Sequence, residues 1–267
     1  MGQPVVVLGG IVMGESVRWH DGVLWFSDWG AGEVVRVVGG KAEVVRRVEG
    51  LPFCLEWTPG GELLVVEGRQ AVITRGGQRW ADLSGVDGVH PWNDIVADSR
   101  GNVFVNNIGY DFPGGEEQPG IIAVVGADAV ARTVAGGLRF PNGMAITPDD
   151  STLIVAESHA GRLTAYEIDA DGSLSRRRLW AAVEGSAPDG ICLDPSGAVW
   201  YADVPNRQCV LVREGGEVLR RVVFEDGAFD CALGDDGTLY TVTADYTDRQ
   251  MFARRTGKLH ATAVNPA

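Results

Sequence analysis

Apolar and polar positions follow one repeated unit along the chain: a short apolar strand, a polar turn rich in Gly, Pro and Asp, and a second apolar strand. Short apolar runs bounded by turn residues are typical of β-strands joined as hairpins. The unit occurs six times, as GESVRWHDGVLWFSDW, CLEWTPGGELLVVEG, NDIVADSRGNVFVNN, NGMAITPDDSTLIVAES, DGICLDPSGAVWYADV and DCALGDDGTLYTVTAD.

The spacing of these units predicts the architecture. Their second strands begin near Leu24, Leu63, Val103, Leu153, Val199 and Leu239. Repeats of roughly 40–50 residues built from short strands are typical of propeller blades. Further apolar runs bring most units to four strands, and no long amphipathic helix interrupts them. We therefore predict an all-β fold, a six-bladed β-propeller with four antiparallel strands per blade, forming a single domain over residues 1–267.

The ends of the chain predict how the ring closes. The last unit ends with an apolar run over Lys258–Val264 and is one strand short of four, whereas the run Val5–Leu8 precedes the first unit and is one strand in excess. An open sheet edge invites mispairing. We therefore expect the N-terminal strand to close the last blade as its outermost strand.

Charge narrows the range of partners. The chain carries 23 Lys and Arg against 36 Asp and Glu, a formal net charge of −13. Such a field repels phosphate backbones and anionic membranes, so we expect neither nucleic acid nor membrane as a partner. No apolar run approaches the roughly 18 residues of a membrane span, and MGQPVVVLGG lacks the basic start of a secretory signal. No heptad or extended apolar face predicts an oligomeric state.

The cysteines point to a reducing compartment. The chain has four of them, which form no C-x-x-C pair: Cys54, Cys192, Cys209 and Cys231. Widely spaced cysteines among apolar residues are typical of buried free thiols. We expect free thiols in a cytoplasmic protein.

Candidate chemistry lies where the first strand of each unit begins. In a propeller these strands line the central channel, so their first residues converge at one end of the axis. The six positions hold Glu15, approximately Cys54, Asn93, Asn142, Asp189 and approximately Asp230. Carboxylate and amide oxygens are the ligands of hard divalent cations. Glu15, Asn93, Asn142 and Asp189 therefore form a candidate metal site, with calcium or zinc expected first and magnesium or manganese also compatible.

A plainer interpretation of part of this pattern remains open. Asn-Gly and Asp-Gly are common turn pairs, which would account for Asn142-Gly143 and Asp189-Gly190 taken singly. Turn formation explains Glu15 and Asn93 poorly, and it does not explain why all four share one register.

Several motifs in this order carry a family resemblance that covers essentially the full chain. They are Gly-Glu-Ser at 14–16 before Trp-Phe-Ser-Asp at 25–28, Trp-Asn-Asp at 92–94, Pro-Asn-Gly at 141–143 and Pro-Asp-Gly-Ile-Cys at 188–192. The chain resembles the family of senescence-marker protein (regucalcin), gluconolactonase and luciferin-regenerating enzyme. The resemblance implies a six-bladed propeller with one divalent cation held by Glu15, Asn142 and Asp189. It further implies that Asn93 contacts substrate, as well as approaching the metal if it behaves as in the related diisopropyl-fluorophosphatase type, and that Asp189 is the base or nucleophile.

The chain departs from this pattern at one substrate position. Sugar-lactone members carry an Arg two residues before the asparagine that matches Asn93, and this sequence has Pro91 there. The planar guanidinium group of that Arg would donate hydrogen bonds to the hydroxyl groups of a substrate. Without it, the sequence favours a polyhydroxylated sugar acid less strongly as the substrate. Nearby aromatic residues favour a more apolar pocket, although blade packing is the alternative for each: Trp19, Trp29, Phe53, Trp92, Tyr110 and Phe140.

The sequence therefore predicts a metal-dependent lactonase that takes a small lactone or ester. The metal would polarise the carbonyl, with Asp189 as catalytic base or nucleophile and Asn93, Trp92, Asp111 and His159 as substrate-binding residues. Asp111 opens the longest insertion, 111–119, which could gate the pocket or merely cover it. Two alternatives remain open: a phosphotriester or aryl-ester hydrolase using the same site, and a non-catalytic calcium-binding propeller.

Overall fold

The computed structural model describes residues 2–247 and 252–264. Within these ranges the chain forms twenty-four strands in six four-stranded antiparallel sheets, together with two single-turn 3-10 helices at Gly68–Gln70 and Ser158–Ala160. The predicted all-β, six-bladed propeller is therefore confirmed. None of the helices in these ranges has the length and apolar character needed to span a membrane.

Each blade is a four-stranded meander. Before the first blade the chain forms β1 (Val5–Ile11). Blades one to three comprise β2 (Gly14–His20), β3 (Val23–Asp28), β4 (Glu33–Val38), β5 (Lys41–Arg47), β6 (Phe53–Trp57), β7 (Leu63–Glu67), β8 (Val72–Arg75), β9 (Gln78–Asp82), β10 (Trp92–Ala97), β11 (Val103–Asn107), β12 (Gly120–Val125) and β13 (Ala131–Leu138). Blades four to six comprise β14 (Pro141–Ile146), β15 (Thr152–Glu157), β16 (Arg162–Ile168), β17 (Leu174–Ala182), β18 (Pro188–Leu193), β19 (Val199–Asp203), β20 (Gln208–Val212), β21 (Val218–Val223), β22 (Gly227–Leu233), β23 (Thr238–Ala244) and β24 (Gly257–Ala263).

The N-terminal strand closes the ring as the sequence predicts. The sixth sheet has the order β1-β24-β23-β22, so β1 is its outermost strand. The pairing runs from Val5 opposite Ala261 to Ile11 opposite Gly257. The strand therefore extends three residues beyond the predicted end at Leu8.

The core lies between the blades. Six clusters of buried apolar side chains are each drawn from two neighbouring blades. Side chains alternate between the two faces of a strand. In β11, Val103 and Val105 pack toward blade two, whereas Phe104 packs toward blade four. Because both faces of the inner strands are buried, these strands appear in the sequence as nearly continuous apolar runs.

This arrangement gives the propeller two distinct ends. The strands β2, β6, β10, β14, β18 and β22 contact one another around the axis, and their first residues meet at one end. We call this end the loop face, because it carries the connections 29–32, 108–119 and 158–161. The opposite end, which carries the hairpin turns 21–22 and 147–151, is the turn face.

Candidate functional site

The four candidate ligands lie at irregular points of their strands. The ladder shifts register between Glu15 and Arg18 in β2 and between Trp92 and Ile95 in β10. It shifts in the same place in β14, at Asn142, and in β18, at Asp189. A β-bulge bends a strand and changes the direction of a side chain. The bulges therefore stand where the strands present the candidate ligands to the axis.

The glycines that follow two of the ligands are not turn residues. Gly143 and Gly190 lie inside strands β14 and β18, so the turn interpretation of Asn142-Gly143 and Asp189-Gly190 is wrong. A Cβ on Gly143 would lie 2.6 Å from the carbonyl oxygen of Asp189, and one on Gly190 would overlap the Asp230 carboxylate. Glycine is needed because the backbone of the next strand approaches Gly143 closely and the side chain of Asp230 approaches Gly190 closely.

Two of the candidate ligands carry buried carboxyl groups, and electrostatic repulsion acts between them. Glu15 is 8% exposed and Asp189 is 9% exposed. Burial raises the pKa of Glu15 well above its usual range, and repulsion from Asp189, Asp230 and Asp94 adds to the rise. Burial likewise raises the pKa of Asp189, with repulsion from Asp230 and Asp94. In residues 2–247 and 252–264, no Lys, Arg or His lies within ion-pair distance of either group.

The two asparagines contact each other at the same end of the channel. Asn93 Nδ2 donates to Asn142 Oδ1 at 3.1 Å. Asn142 Nδ2 donates to Ser158 Oγ at 3.3 Å, and that hydroxyl donates to the Pro188 carbonyl at 2.7 Å. The hydroxyl of Ser158 thus accepts a hydrogen bond from the amide nitrogen of Asn142. The Oδ1 atom is left on the side of Asn93.

The chemistry of this set fits a hard divalent cation. Burial and the repulsion of neighbouring carboxylates raise the pKa values of both carboxyl groups, and a doubly positive charge beside them would favour their ionised forms. The described ranges contain no cluster of three or more His, Cys, Asp or Glu side chains arranged for a metal. The candidate set has two carboxylates, and amide oxygens supply the other donors. Mixed carboxylate and amide oxygens are a donor set typical of calcium.

Beneath the candidate ligands, an arginine ties four blades together across the channel. Arg18 Nη2 donates to Asp94 Oδ1 at 2.6 Å, and Nη1 lies 3.4 Å from Asp230 Oδ2. Its Nε lies 3.9 Å from Glu56 Oε2. Burial raises the pKa values of Glu56 and Asp230 to about 7, although the charge of Arg18 opposes the rise. We call these four residues the Arg18 network.

The Arg18 network also satisfies backbone groups that the bulges release. Asp94 Oδ2 accepts the Met144 N–H at 2.7 Å, and Asp230 Oδ2 accepts the Val17 N–H at 2.6 Å. Met144 and Val17 each lie two residues after a candidate ligand, Asn142 and Glu15. A buried N–H without an acceptor is costly, so these carboxylates stabilise the bulged strands. The Arg18 network thereby supports the strands that carry the candidate ligands.

A cavity of about 370 Å³ lies on the other side of the Arg18 network, toward the turn face. Its walls come from the second halves of the inner strands, among them Trp19, Met144, Ile191 and Cys231. The candidate ligands occupy the first halves of these strands, and Arg18 and Glu56 lie between the two regions. The cavity is therefore a separate part of the channel.

The predicted substrate-binding residues have different surroundings. Trp92 is fully buried between blades two and three, and its indole N–H donates to the Asp87 carbonyl at 2.9 Å. Its ring supports the strand that carries Asn93 and has no surface to offer a ligand. Asp111 is exposed in the connection 108–119. His159 is exposed on the loop face, directly after Ser158, the residue that holds the amide of Asn142.

Comparison with known proteins assigns the family. A family model described as the SMP-30/Gluconolactonase/LRE-like region matches residues 13–245. The chain belongs to this family. The matched range contains all four candidate ligands and the whole Arg18 network, and the resemblance inferred from the motifs is confirmed.

Individual relatives of this family member include a lactonase. The chain is 30% identical over 166 residues to a pentonolactonase of Haloferax volcanii. The match covers 60% of this chain and spans only 55% of the length of that relative.

Solved structures share the fold along almost the whole chain. A luciferin-regenerating enzyme superposes with a TM-score of 0.81 at 21% identity, covering 98% of this chain and 96% of the other. A calcium-binding protein, regucalcin, from Agrobacterium tumefaciens superposes with a TM-score of 0.78 at 18% identity, covering 98% and 93%. Similarity at this level of identity shows a common fold.

Sequence reasoning missed most of the Arg18 network in this family member. Arg18 and Asp94 were not singled out, and Asp230 was aligned with the ligands although it bonds Val17 and Arg18 instead. A signal was present, because Arg18 stands between Val17 and Trp19 in a strand that the repeat places at the axis. A charged residue at such a position must find a buried partner on another strand.

Proposed function

We propose that the protein is a divalent-cation-dependent lactone hydrolase whose reaction centre is Glu15, Asn93, Asn142 and Asp189. One observation carries the proposal: two buried carboxyl groups, which have no basic partner among the described residues, and two hydrogen-bonded amides lie at the same end of the channel. Buried carboxyl groups with strongly perturbed pKa values are typical of functional sites. Membership of the gluconolactonase-like family and similarity to a pentonolactonase support the reaction class.

All four residues are proposed to hold the cation, with calcium as the first candidate and zinc as the second. An all-oxygen donor set favours a hard cation, whereas zinc sites more often include His or Cys. A calcium-binding protein of the same fold is consistent with this choice. When bound, the cation would supply positive charge that ionises the carboxylates and polarises the carbonyl oxygen of the lactone.

Within this centre, each protein group has a distinct task. Asp189, once ionised, accepts a proton from the attacking water or attacks the carbonyl carbon itself. Asn142 is held by Ser158 and keeps its Oδ1 atom directed toward Asn93. Asn93 orients the substrate, and Trp92 fixes the strand of Asn93 from below. His159 and Asp111 border the entrance from the loop face.

Hydrolysis assays test the proposal directly. Chelator-treated protein is assayed on an aromatic lactone, an aliphatic lactone, gluconolactone and a phosphotriester, with calcium, zinc, magnesium or manganese restored in turn. We expect lactone turnover only with a cation, and a loss of at least 100-fold in kcat in Asp189→Asn, since general bases contribute about 10²–10⁴-fold. Asp171→Asn is the control, because this exposed carboxylate lies in a turn-face hairpin.

Other results of the assay have clear meanings. Turnover of the phosphotriester alone would assign the same centre to phosphoester chemistry. Cation binding without turnover of any substrate would favour a non-catalytic calcium-binding propeller. Full activity in Asp189→Asn would contradict the role of Asp189.

A further inference from the structure

Four aromatic side chains form a continuous group on the loop face. They are Tyr110, Phe112, Phe140 and His159, and we call them the aromatic wall. The rings of Phe112 and Phe140 meet edge to face with centroids 5.0 Å apart, and Phe140 and His159 lie 4.4 Å apart. Tyr110 lies 6.0 Å from Phe140. Two connections and one 3-10 turn thus bring their aromatic residues to one place.

The aromatic wall adjoins the candidate site at two points of Asn142. Phe140 lies two residues before Asn142, and Pro141 between them opens strand β14. His159 directly follows Ser158, whose hydroxyl accepts the hydrogen bond from Asn142 Nδ2. Phe140 adopts a left-handed backbone conformation with φ of 55°, which is uncommon for an aromatic residue. This unfavourable backbone conformation occurs at the residue whose ring packs into the aromatic wall.

Several polar groups around the aromatic wall are already engaged. The Tyr110 hydroxyl lies 3.3 Å from His159 Nδ1. Arg139 donates to Glu117 at 2.9 Å, and Arg162 donates to Glu157 at 2.9 Å. Pro91, at the start of blade three, is buried and contributes no donor. The wall therefore presents mainly apolar ring surface to a ligand.

One ring of the aromatic wall is largely uncovered. Phe112 is 54% exposed, whereas Tyr110 beneath it is buried. Exposed aromatic surface beside a polar site is a common feature of ligand pockets, in which apolar walls bury the ligand and a few polar groups orient it.

We propose that the aromatic wall binds an apolar or aromatic substituent of the lactone, so that the preferred substrates are lactones with a hydrocarbon substituent or a fused ring. The inference rests on the proposed lactone hydrolysis at Asn142 and Asp189. A polyhydroxylated lactone would place hydroxyl groups against ring surface and lose their hydrogen bonds with water. A hydrocarbon group would instead bury its surface against Phe112 and Phe140.

Kinetics on paired substrates test this specificity. The substrates are dihydrocoumarin, which has a fused aromatic ring, and gluconolactone, which has hydroxyl groups, with wild type, Phe112→Ala and Val130→Ala. Val130 is a matched control, since it is an exposed apolar residue next to a turn-face hairpin. In Phe112→Ala we expect kcat/KM for dihydrocoumarin to fall about tenfold through KM, because the ring loses its apolar contact. We expect no change for gluconolactone and none in Val130→Ala.

A binding measurement separates this inference from the proposed reaction. Chroman has the fused ring but no carbonyl group, so its binding by saturation-transfer NMR does not depend on hydrolysis. We expect chroman to bind wild type and Val130→Ala, and to bind Phe112→Ala at least fivefold more weakly. Such a difference without turnover of any lactone would support the wall and contradict the proposed reaction. Equal chroman binding in all three proteins, or an equal loss of both kcat/KM values in Phe112→Ala, would overturn the inference about the wall.

Discussion

At the scale of single residues, burial and repulsion act together on Glu15 and Asp189. Each effect alone raises the pKa of a carboxyl group, and here both operate with no cationic side chain of residues 2–247 and 252–264 within ion-pair distance. The only arginine nearby, Arg18, is engaged with Asp94, Asp230 and Glu56 among the described residues. The positive charge that this pair lacks from the protein is what a bound divalent cation would supply.

Glu56 provides a prediction about pH at this scale. Burial raises its pKa to about 7, whereas a carboxyl group in the unfolded chain titrates near 4.3. The folded state therefore holds a proton that the unfolded state has released, so the contribution to stability is complete below about pH 4 and declines as the pH rises toward 7. In Glu56→Gln the free energy of unfolding should fall less between pH 5 and 8 than in wild type, by on the order of 2 kcal/mol.

The measurement is urea unfolding of the cation-free protein at each pH. Glu43→Gln is the control, because Glu43 forms an exposed ion pair with Arg36 on an outer strand. Parallel stability curves for wild type and Glu56→Gln would contradict the assignment of this proton to Glu56.

The sequence indicates the candidate ligands more clearly than it indicates the Arg18 network that supports their strands. Glu15, Asn93, Asn142 and Asp189 could be proposed as candidates because each repeats one position of the unit, and in the structure the two asparagines are hydrogen-bonded to each other. The Arg18 network could not be found in this way, since its members do not share the position of the candidate ligands: Asp94 and Asp230 each lie three residues before the end of their strands, and Arg18 lies two residues before the end of β2. Their pairing depends on which blades face each other across the channel.

At the scale of elements, the N-terminal strand is the closure of the ring. β1 supplies the outer edge of the sixth sheet, and its partner β24 would otherwise expose a row of unpaired backbone groups. Ile11 at its end packs into the cluster between blades six and one. The strand thus contributes both hydrogen bonds and apolar contact.

Removing this strand should destabilise the whole protein. We expect deletion of residues 2–9 to lower Tm by at least about 10 °C, since several kcal/mol are lost and about 1 kcal/mol corresponds to 2–4 °C at this size. Differential scanning calorimetry gives the measurement. Val5→Thr is the control, because this exposed side chain can change while the backbone pairing with Ala261 stays, and Tm should move by less than about 2 °C. A deletion variant that melts with wild type would contradict the closure role.

Strands and turns could be predicted from the sequence where the residues of a short segment determine them. Turn residues such as Asp21-Gly22 marked the hairpins, and counting strands placed β1 in the last blade. The bulges were not predictable, because a register shift arises from the way neighbouring inner strands crowd the axis. Gly143 and Gly190 illustrate this, since both look like turn residues in the sequence and are strand residues in close contact with the next blade.

At the scale of the whole molecule, six similar blades each contribute to the apolar core, and their inner strands together form the channel that holds the candidate site. Each interface between blades has its own apolar cluster, and the chain is closed by pairing its two ends. We propose that residues 1–267 form one domain that unfolds in a single cooperative step, because opening any interface breaks the ring. The repeat period predicted this architecture well, whereas the surface of the loop face depends on connections that differ from blade to blade.

Cation binding by isothermal titration calorimetry tests the central claim most directly. Chelator-treated wild type, Glu15→Gln and the control Asp171→Asn are titrated with calcium and with zinc in two buffers of different ionisation enthalpy. We predict one cation per chain, proton release from the carboxyl groups near neutral pH, and an affinity at least tenfold weaker in Glu15→Gln but unchanged in Asp171→Asn. If wild type takes up neither cation, or if Glu15→Gln binds as tightly as wild type, the assignment of these four residues as a cation-dependent hydrolytic centre is wrong.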